Sequence, residues 1–281
     1  MFDTHGHLNF KSFKKNLDGI ISEALESGVD QIVIPGTDVP SSLRAVEIAH
    51  TQKTFYAAVG IHPHHAFKLK TGSGVSQIEE ELTKIEELLT DEKVVAVGEV
   101  GMDRHEYRET KYQEYEIDEQ FMEVQKQIFE AQVKLAIKYK QSLIIHNREA
   151  KDVLLPMLES AWDPCLAGRS VFHCCEPDAE LLDFAKKNHM YLGVDGDITY
   201  REDKQAFIKT IPLEMLVVET DSPFLLPEPL RTEKKYPNKP SNIPLIIAFI
   251  AGIMGKDKEE LAEITTSNAK KLFGLSTKTE D

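Results

Sequence analysis

Gln31-Ile32-Val33-Ile34, then Ser41-Ser42-Leu43-Arg44-Ala45-Val46-Glu47-Ile48-Ala49-His50, then Phe55-Tyr56-Ala57-Ala58-Val59 is the succession that decides the fold class. The first and third runs are short, apolar and rich in β-branched or aromatic residues, without helical periodicity, which predicts strands buried on both faces. The middle stretch is amphipathic and of helical length. Two such strands joined through a helix lie parallel, because the crossover must return the chain to the same end of the sheet.

The same unit recurs in both directions. Further strands are expected at Met1–Asp3, Val94–Val97, Leu143–Ile145, Val171–Phe172, Met190–Val194 and Met215–Val218. Amphipathic stretches at Asn16–Glu26, Gln77–Leu89, Glu119–Tyr139, Ala179–Lys187 and Lys204–Thr210 fall between them. Eight alternating units predict an α/β fold, a closed (β/α)8 TIM barrel. Ile243–Met254 and Glu259–Leu272 would pack outside it after the eighth strand. No linker, repeat or low-complexity tract divides the chain, so a single domain over residues 1–275 is expected, with 276–281 as a frayed tail.

Composition fits this architecture. The 281 residues are 41% hydrophobic and 28% charged, enough for one large core without a bias to disorder. The longest nearly apolar run, Ile243–Met254, contains Pro244 and Gly252 and falls short of the roughly 20 residues a membrane helix needs. Met1-Phe2-Asp3-Thr4-His5 offers neither a basic nor an apolar signal region, and a cytoplasmic location is expected. Cys165, Cys174 and Cys175 are too few and too clustered for a disulfide framework. The net charge of −14 excludes a protein that coats nucleic acid non-specifically, though not one that grips phosphates locally. No feature implies a protein partner. The glutamates of Gln77–Leu89 read as a solvated helix face.

In a TIM barrel the active site lies at the C-terminal ends of the strands. Eight of the ten histidines fall there: His5 and His7 after the first strand, His62, His64 and His65 after the third, His105 after the fourth, His146 and His173 ending the fifth and sixth. Glu99 ends the fourth and Asp221 the eighth. His5 and His7, two apart on extended chain, project to one face and could ligate one ion. Glu219 alternates with Asp221 and could orient a ligand histidine from behind.

Taken in order, Asp3-Thr4-His5-Gly6-His7-Leu8, Val59-Gly60-Ile61-His62-Pro63-His64, Ala96-Val97-Gly98-Glu99-Val100-Gly101-Met102-Asp103, Ile145-His146-Asn147-Arg148-Glu149-Ala150, Glu219-Thr220-Asp221-Ser222-Pro223 and Asn268-Ala269-Lys270-Lys271-Leu272-Phe273 resemble the signatures of the TatD family of metal-dependent hydrolases, within the amidohydrolase-like superfamily. The resemblance runs from Asp3 to Phe273. It implies a TIM barrel with one or two divalent ions, and a deoxyribonuclease activity. Carried over by position, it implies His5, His7, Glu99, His146, His173 and Asp221 as metal ligands, Glu99 bridging two ions. Two segments depart from the family pattern: Cys174-Cys175-Glu176-Pro177-Asp178, which adds negative charge beside a phosphate site, and the basic stretch Arg231–Lys239.

The chemistry expected is hydrolysis of DNA phosphodiesters, with two ions activating water and stabilising charge on phosphate oxygens. Asp221 would act as general base beside the bridging Glu99. His62, His64 and Arg148 would contact the phosphate. The donor set suits zinc, manganese, nickel or iron better than magnesium, which remains an option for turnover. Tyr107, Tyr112 and Tyr115, between Asp103 and Asp118, could cover the site and stack on bases. Two other activities fit the same residues: a metal-dependent ester or amide hydrolase such as a D-aminoacyl-tRNA deacylase, and a metal- or nucleic-acid-binding barrel without turnover.

Overall fold

The computed structural model describes residues 1–70, 75–107 and 110–275. Its strands are β1 (Phe2–Asp3), β2 (Gln31–Pro35), β3 (Phe55–Val59), β4 (Val94–Asp103), β5 (Ser142–Arg148), β6 (Ser170–Phe172), β7 (Tyr191–Val194) and β8 (Leu216–Val218). Each pairs in parallel with the next, so sheet order equals chain order, as the alternating pattern predicts. The ring is drawn together by the segments just beyond β1 and β8. Thr4 N donates to Val218 O at 3.2 Å, Asp221 N to His5 O at 2.8 Å and His7 N to Ser222 O at 2.8 Å. This closure sets His5 and His7 directly against Asp221.

Side chains alternate along each strand, and the two faces separate into two clusters. Phe2, Val33, Ala58, Val95, Ile144, Val171, Tyr191 and Val217 form one, an apolar filling drawn from all eight strands. The last helix, Lys258–Leu272, seals its lower end with Ala269, Leu272 and the adjoining Phe273, whose ring lies 5.9 Å from that of Phe2. Outward residues such as Ile32, Ile34, Val97, Leu143 and Leu192 pack beneath the helices. One mouth of the barrel is thus stoppered by apolar groups, and the polar groups are left at the C-terminal ends of the strands.

Two strands run past their apolar stretches. β4 continues from Val97 to Asp103 and β5 from Ile145 to Arg148, with paired residues Val100 and Ile145, Gly101 and His146, and Asp103 and Arg148. A register shift between Val97 and Val100 marks the irregular strand around Glu99. Gly101 is required there: at φ +154°, an added Cβ would lie 1.9 Å from His146 O. The β5–β6 crossover is the helix Lys151–Ala161, which carries Pro156 in its interior. β8 starts only at Leu216, because Leu213–Met215 forms a 3-10 turn. Along Val75–Leu88, Ile78 and Ile85 are buried while Glu79, Glu80 and Glu87 are exposed, as the solvated-face reading predicts. Among the described residues no helix is long and apolar enough to cross a membrane. The expected frayed tail, 276–281, lies outside the described residues.

Candidate metal centre

The six residues expected as ligands converge at the open mouth. His5 Nε2 and His7 Nε2 lie 3.1 Å apart, on one face as their two-residue spacing permits. Glu99 Oε2 is 3.4 Å from the first and 3.5 Å from the second, and Asp221 Oδ1 is 3.8 and 3.4 Å from the same atoms. The other oxygen of Glu99 looks elsewhere. Its Oε1 is 2.8 Å from His146 Nδ1 and 2.7 Å from His173 Nε2, while those two nitrogens are 3.2 Å apart. One carboxylate therefore spans two nitrogen-rich groups, His5 with His7 and Asp221 on one side, His146 with His173 on the other.

Such crowding is unfavourable without cationic charge. Burial disfavours the Glu99 anion, yet the charges of His173 and His62 and hydrogen bonds from His146 and His173 hold its carboxyl well below the usual range. Burial opposes protonation of His146, but Asp103 and Glu99 outweigh it and push the ring up to about 10. Burial and the neighbouring His173, stacked on it at 4.1 Å, bring His5 down to about 4. A divalent cation held by these groups would balance the same carboxylate. Nitrogen and oxygen donors from five strand ends, buried and mutually within reach, form several groups that could hold a divalent ion.

The sequence profile of the family described as TatD related DNase matches residues 2–274. The chain belongs to the TatD related DNase family. It is a metal-dependent hydrolase. An uncharacterized metal-dependent hydrolase of Bacillus subtilis, YabD, is 34% identical over 278 residues, covering 98% of this chain and all of that protein. The 3'-5' ssDNA/RNA exonuclease TatD of Escherichia coli is 29% identical over 280 residues, with coverage of 98% and 100%. The crystal structure of YjjV, a TatD homolog from Escherichia coli, superposes with a TM-score of 0.82 at 26% identity over 98% of both chains.

Behind the proposed ligands of this TatD member, acceptors hold two of the four rings. His7 Nδ1 lies 3.2 Å from Pro35 O, an acceptor that places the proton on Nδ1 and leaves the Nε2 lone pair facing the site. His146 Nε2 lies 3.2 Å from Asp103 Oδ2, which likewise frees Nδ1. Glu219 Oε1 lies 3.7 Å from His173 Nδ1, too far for a hydrogen bond; the carboxylate instead accepts from Cys174 N at 2.5 Å and from Thr4 Oγ1 at 3.1 Å, and burial pushes it up to about 7. Gly193 leaves the space that this carboxylate fills, since a Cβ there would lie 2.5 Å from Glu219 Oε2. Asp3 accepts from the backbone of both His5 and Thr220, clamping the first strand end to the last. Asp3 and Asp103 stand inside the quoted motifs, but their spacing alone does not show which ring or backbone they hold.

A cleft of about 830 Å³ opens above these groups. His62, His64 and Arg148 all line it, but the first two are otherwise engaged. His62 Nδ1 accepts from His64 N at 3.0 Å, and its Nε2 faces Glu99 Oε1 at 3.2 Å. His64 Nε2 lies 3.0 Å from Thr110 Oγ1. Arg148 is exposed, with Nη1 3.4 Å from Tyr107 Oη. Glu176 is paired: its Oε1 is 2.8 Å from Arg201 and 3.6 Å from the buried Lys204, cations it shares with Asp195, Asp197 and Asp203, a pairing no sequence spacing announces. In the basic stretch Arg231–Lys239, Arg231, Lys235 and Lys239 pair with Glu228, Glu233 and Glu23.

Proposed function

We propose that this protein is a nuclease hydrolysing phosphodiesters of single-stranded DNA or RNA, with His5, His7, Glu99, His146, His173 and Asp221 as metal ligands. The observation that carries the reading is the Glu99 carboxylate, whose two oxygens face separate histidine groups at the open end of the barrel. A carboxylate so placed would bridge two ions if both groups held one. The relative named a ssDNA/RNA exonuclease, matching across its full length, supports the substrate class.

Divalent ions bound there supply Lewis-acid polarisation of the phosphate and activation of the attacking water. The chain supplies the rest. Asp221 is the most open of the six side chains, at 15% against 0–12% for the others, and it is the group placed to take the proton from water entering the cleft. Arg148 offers its planar fork to the non-bridging phosphate oxygens. His62 steadies Glu99 rather than the substrate, and His64 braces the wall that carries Thr110. Four imidazoles with two carboxylates favour zinc, manganese, nickel or iron over magnesium.

The test is hydrolysis of single-stranded DNA by metal-stripped protein reconstituted with manganese, zinc or magnesium, beside the His146→Ala variant. Metal-dependent cleavage that the variant loses is expected. Failure to cleave DNA or RNA with metal bound would overturn the substrate assignment, and turnover of acyl-tRNA or ester substrates would replace it.

A further inference from the structure

A single-stranded substrate offers unpaired base faces, and base–aromatic stacking is the usual way to hold them. The aromatic rings in and near the cleft differ in what they have left to offer. Tyr115 packs on Phe67 and Phe121 at 5.0 and 5.7 Å, and Tyr112 packs on Phe67 at 5.5 Å while its hydroxyl meets His65 Nδ1 at 2.9 Å. Tyr107 lies beneath the Arg148 guanidinium at 5.2 Å and donates its hydroxyl to Asp103 at 2.7 Å. Of these three rings only Tyr107 lines the cleft, and both its face and its hydroxyl are taken.

Phe224 is different. It lines the cleft and is 50% exposed, one of four exposed large hydrophobic side chains among the described residues. Its ring meets that of Phe10 edge-on at 6.1 Å, and Phe10 in turn stacks on the ligand-type ring of His7 at 4.2 Å and 17°. The backbone is also held: Phe224 N donates to Asp221 O at 2.9 Å, and the buried Asn238 donates through Nδ2 to Thr220 O and Leu225 O at 2.9 and 3.3 Å. A large apolar ring held open to water, on a pinned turn three residues from Asp221, is preorganised for an aromatic guest.

We propose that Phe224, backed by Phe10, is the platform on which the base of the nucleotide flanking the scissile phosphodiester stacks. The proposal rests on the nuclease reading above. It makes Phe224 a specificity residue that favours unpaired strands, since in a duplex both faces of the base are already covered by its neighbours.

The experiment compares hydrolysis of a short oligothymidylate with that of the same backbone carrying abasic sugars, by manganese-loaded wild type, Phe224→Ala and Phe224→Trp. For Phe224→Ala we expect KM on the oligothymidylate to rise about 5- to 150-fold, the worth of one base–aromatic stack, with kcat and metal content unchanged. On the abasic strand its KM should equal that of wild type, and Phe224→Trp should restore binding of the oligothymidylate. An unchanged KM, or an equal rise on both strands, overturns the platform. A wild type that hydrolyses neither DNA nor RNA overturns the nuclease reading and this proposal with it, whereas an active wild type with indifferent variants overturns the platform alone.

Discussion

Replacing Asp103 by Asn tests how much of the proposed metal centre depends on the carboxylate behind His146. Asp103 is fully buried, and its carboxylate accepts from His105 N at 2.8 Å through Oδ1, and from Tyr107 Oη at 2.7 Å and His146 Nε2 at 3.2 Å through Oδ2. An Asn amide is isosteric, but one of its two positions becomes a donor. If the NH2 takes the Oδ2 place it confronts two donors, and if it takes the Oδ1 place it confronts the His105 N–H. Either orientation leaves a buried donor without an acceptor, at a cost of about 1–3 kcal/mol. At roughly 2–4 °C per kcal/mol in a domain of this general size, the metal-free variant should melt about 2–12 °C lower. His146 also loses the anion that orients its ring, and metal affinity should fall about 10- to 100-fold. Calorimetric titration of the stripped protein with manganese or zinc measures the second effect, and thermal unfolding the first. The two separate in a cycle with Tyr107→Phe: removing the phenol relieves part of the stability cost of Asp103→Asn and none of its affinity cost. A manganese Kd within about twofold of wild type in a folded Asp103→Asn protein would falsify the claim that this carboxylate orients His146.

Other consequences are open to direct measurement. Glu99→Gln should reduce bound metal per chain and slow hydrolysis on the order of 100-fold or more, read by elemental analysis and steady-state rates; full metal content would remove Glu99 from the bridge. Arg148→Ala should raise KM roughly 10- to 150-fold by deleting a charge-assisted contact to phosphate, and a KM equal to that of wild type would reassign that contact. Burial and the neighbouring Asp195 push Asp197 from its ordinary 3.8 up to about 8, against the pull of Lys204. The folded state then binds more protons than the unfolded chain between these values, so this group makes stability decline as pH rises from about 4 to 8. Asp197→Asn should flatten that part of the melting-temperature profile, and an identical profile would show that the carboxyl titrates normally.

Much of this protein is legible in its sequence because burial on both faces forces a local signature. Runs such as Gln31–Ile34 and Phe55–Val59 must be apolar along their whole length, and that is visible without knowing their neighbours. The parallel crossovers follow from the helices between them. The polarity of the barrel then sends His5, His7, Glu99, His146, His173 and Asp221 to the same mouth. The extension of β4 and β5 escapes this reading, since Gly98, Glu99, Gly101 and His146 interrupt the apolar pattern while the pairing, shifted in register at Gly98 and Glu99, resumes from Val100 to Asp103.

What only the tertiary structure supplies is the set of contacts that each group at the rim makes. Sequence alone makes His62 and His64 as eligible for phosphate as Arg148, and offers only the loop tyrosines Tyr107, Tyr112 and Tyr115 for stacking. Those choices depend on where each ring nitrogen and each aromatic face is spent, through contacts such as His146 with Asp103 and His7 with Pro35. Hydrophobic periodicity is written residue by residue along the chain. Hydrogen-bond satisfaction at a buried polar site is instead a property of atoms that barrel closure brings together from distant strands, and it is fixed only when the ring is complete.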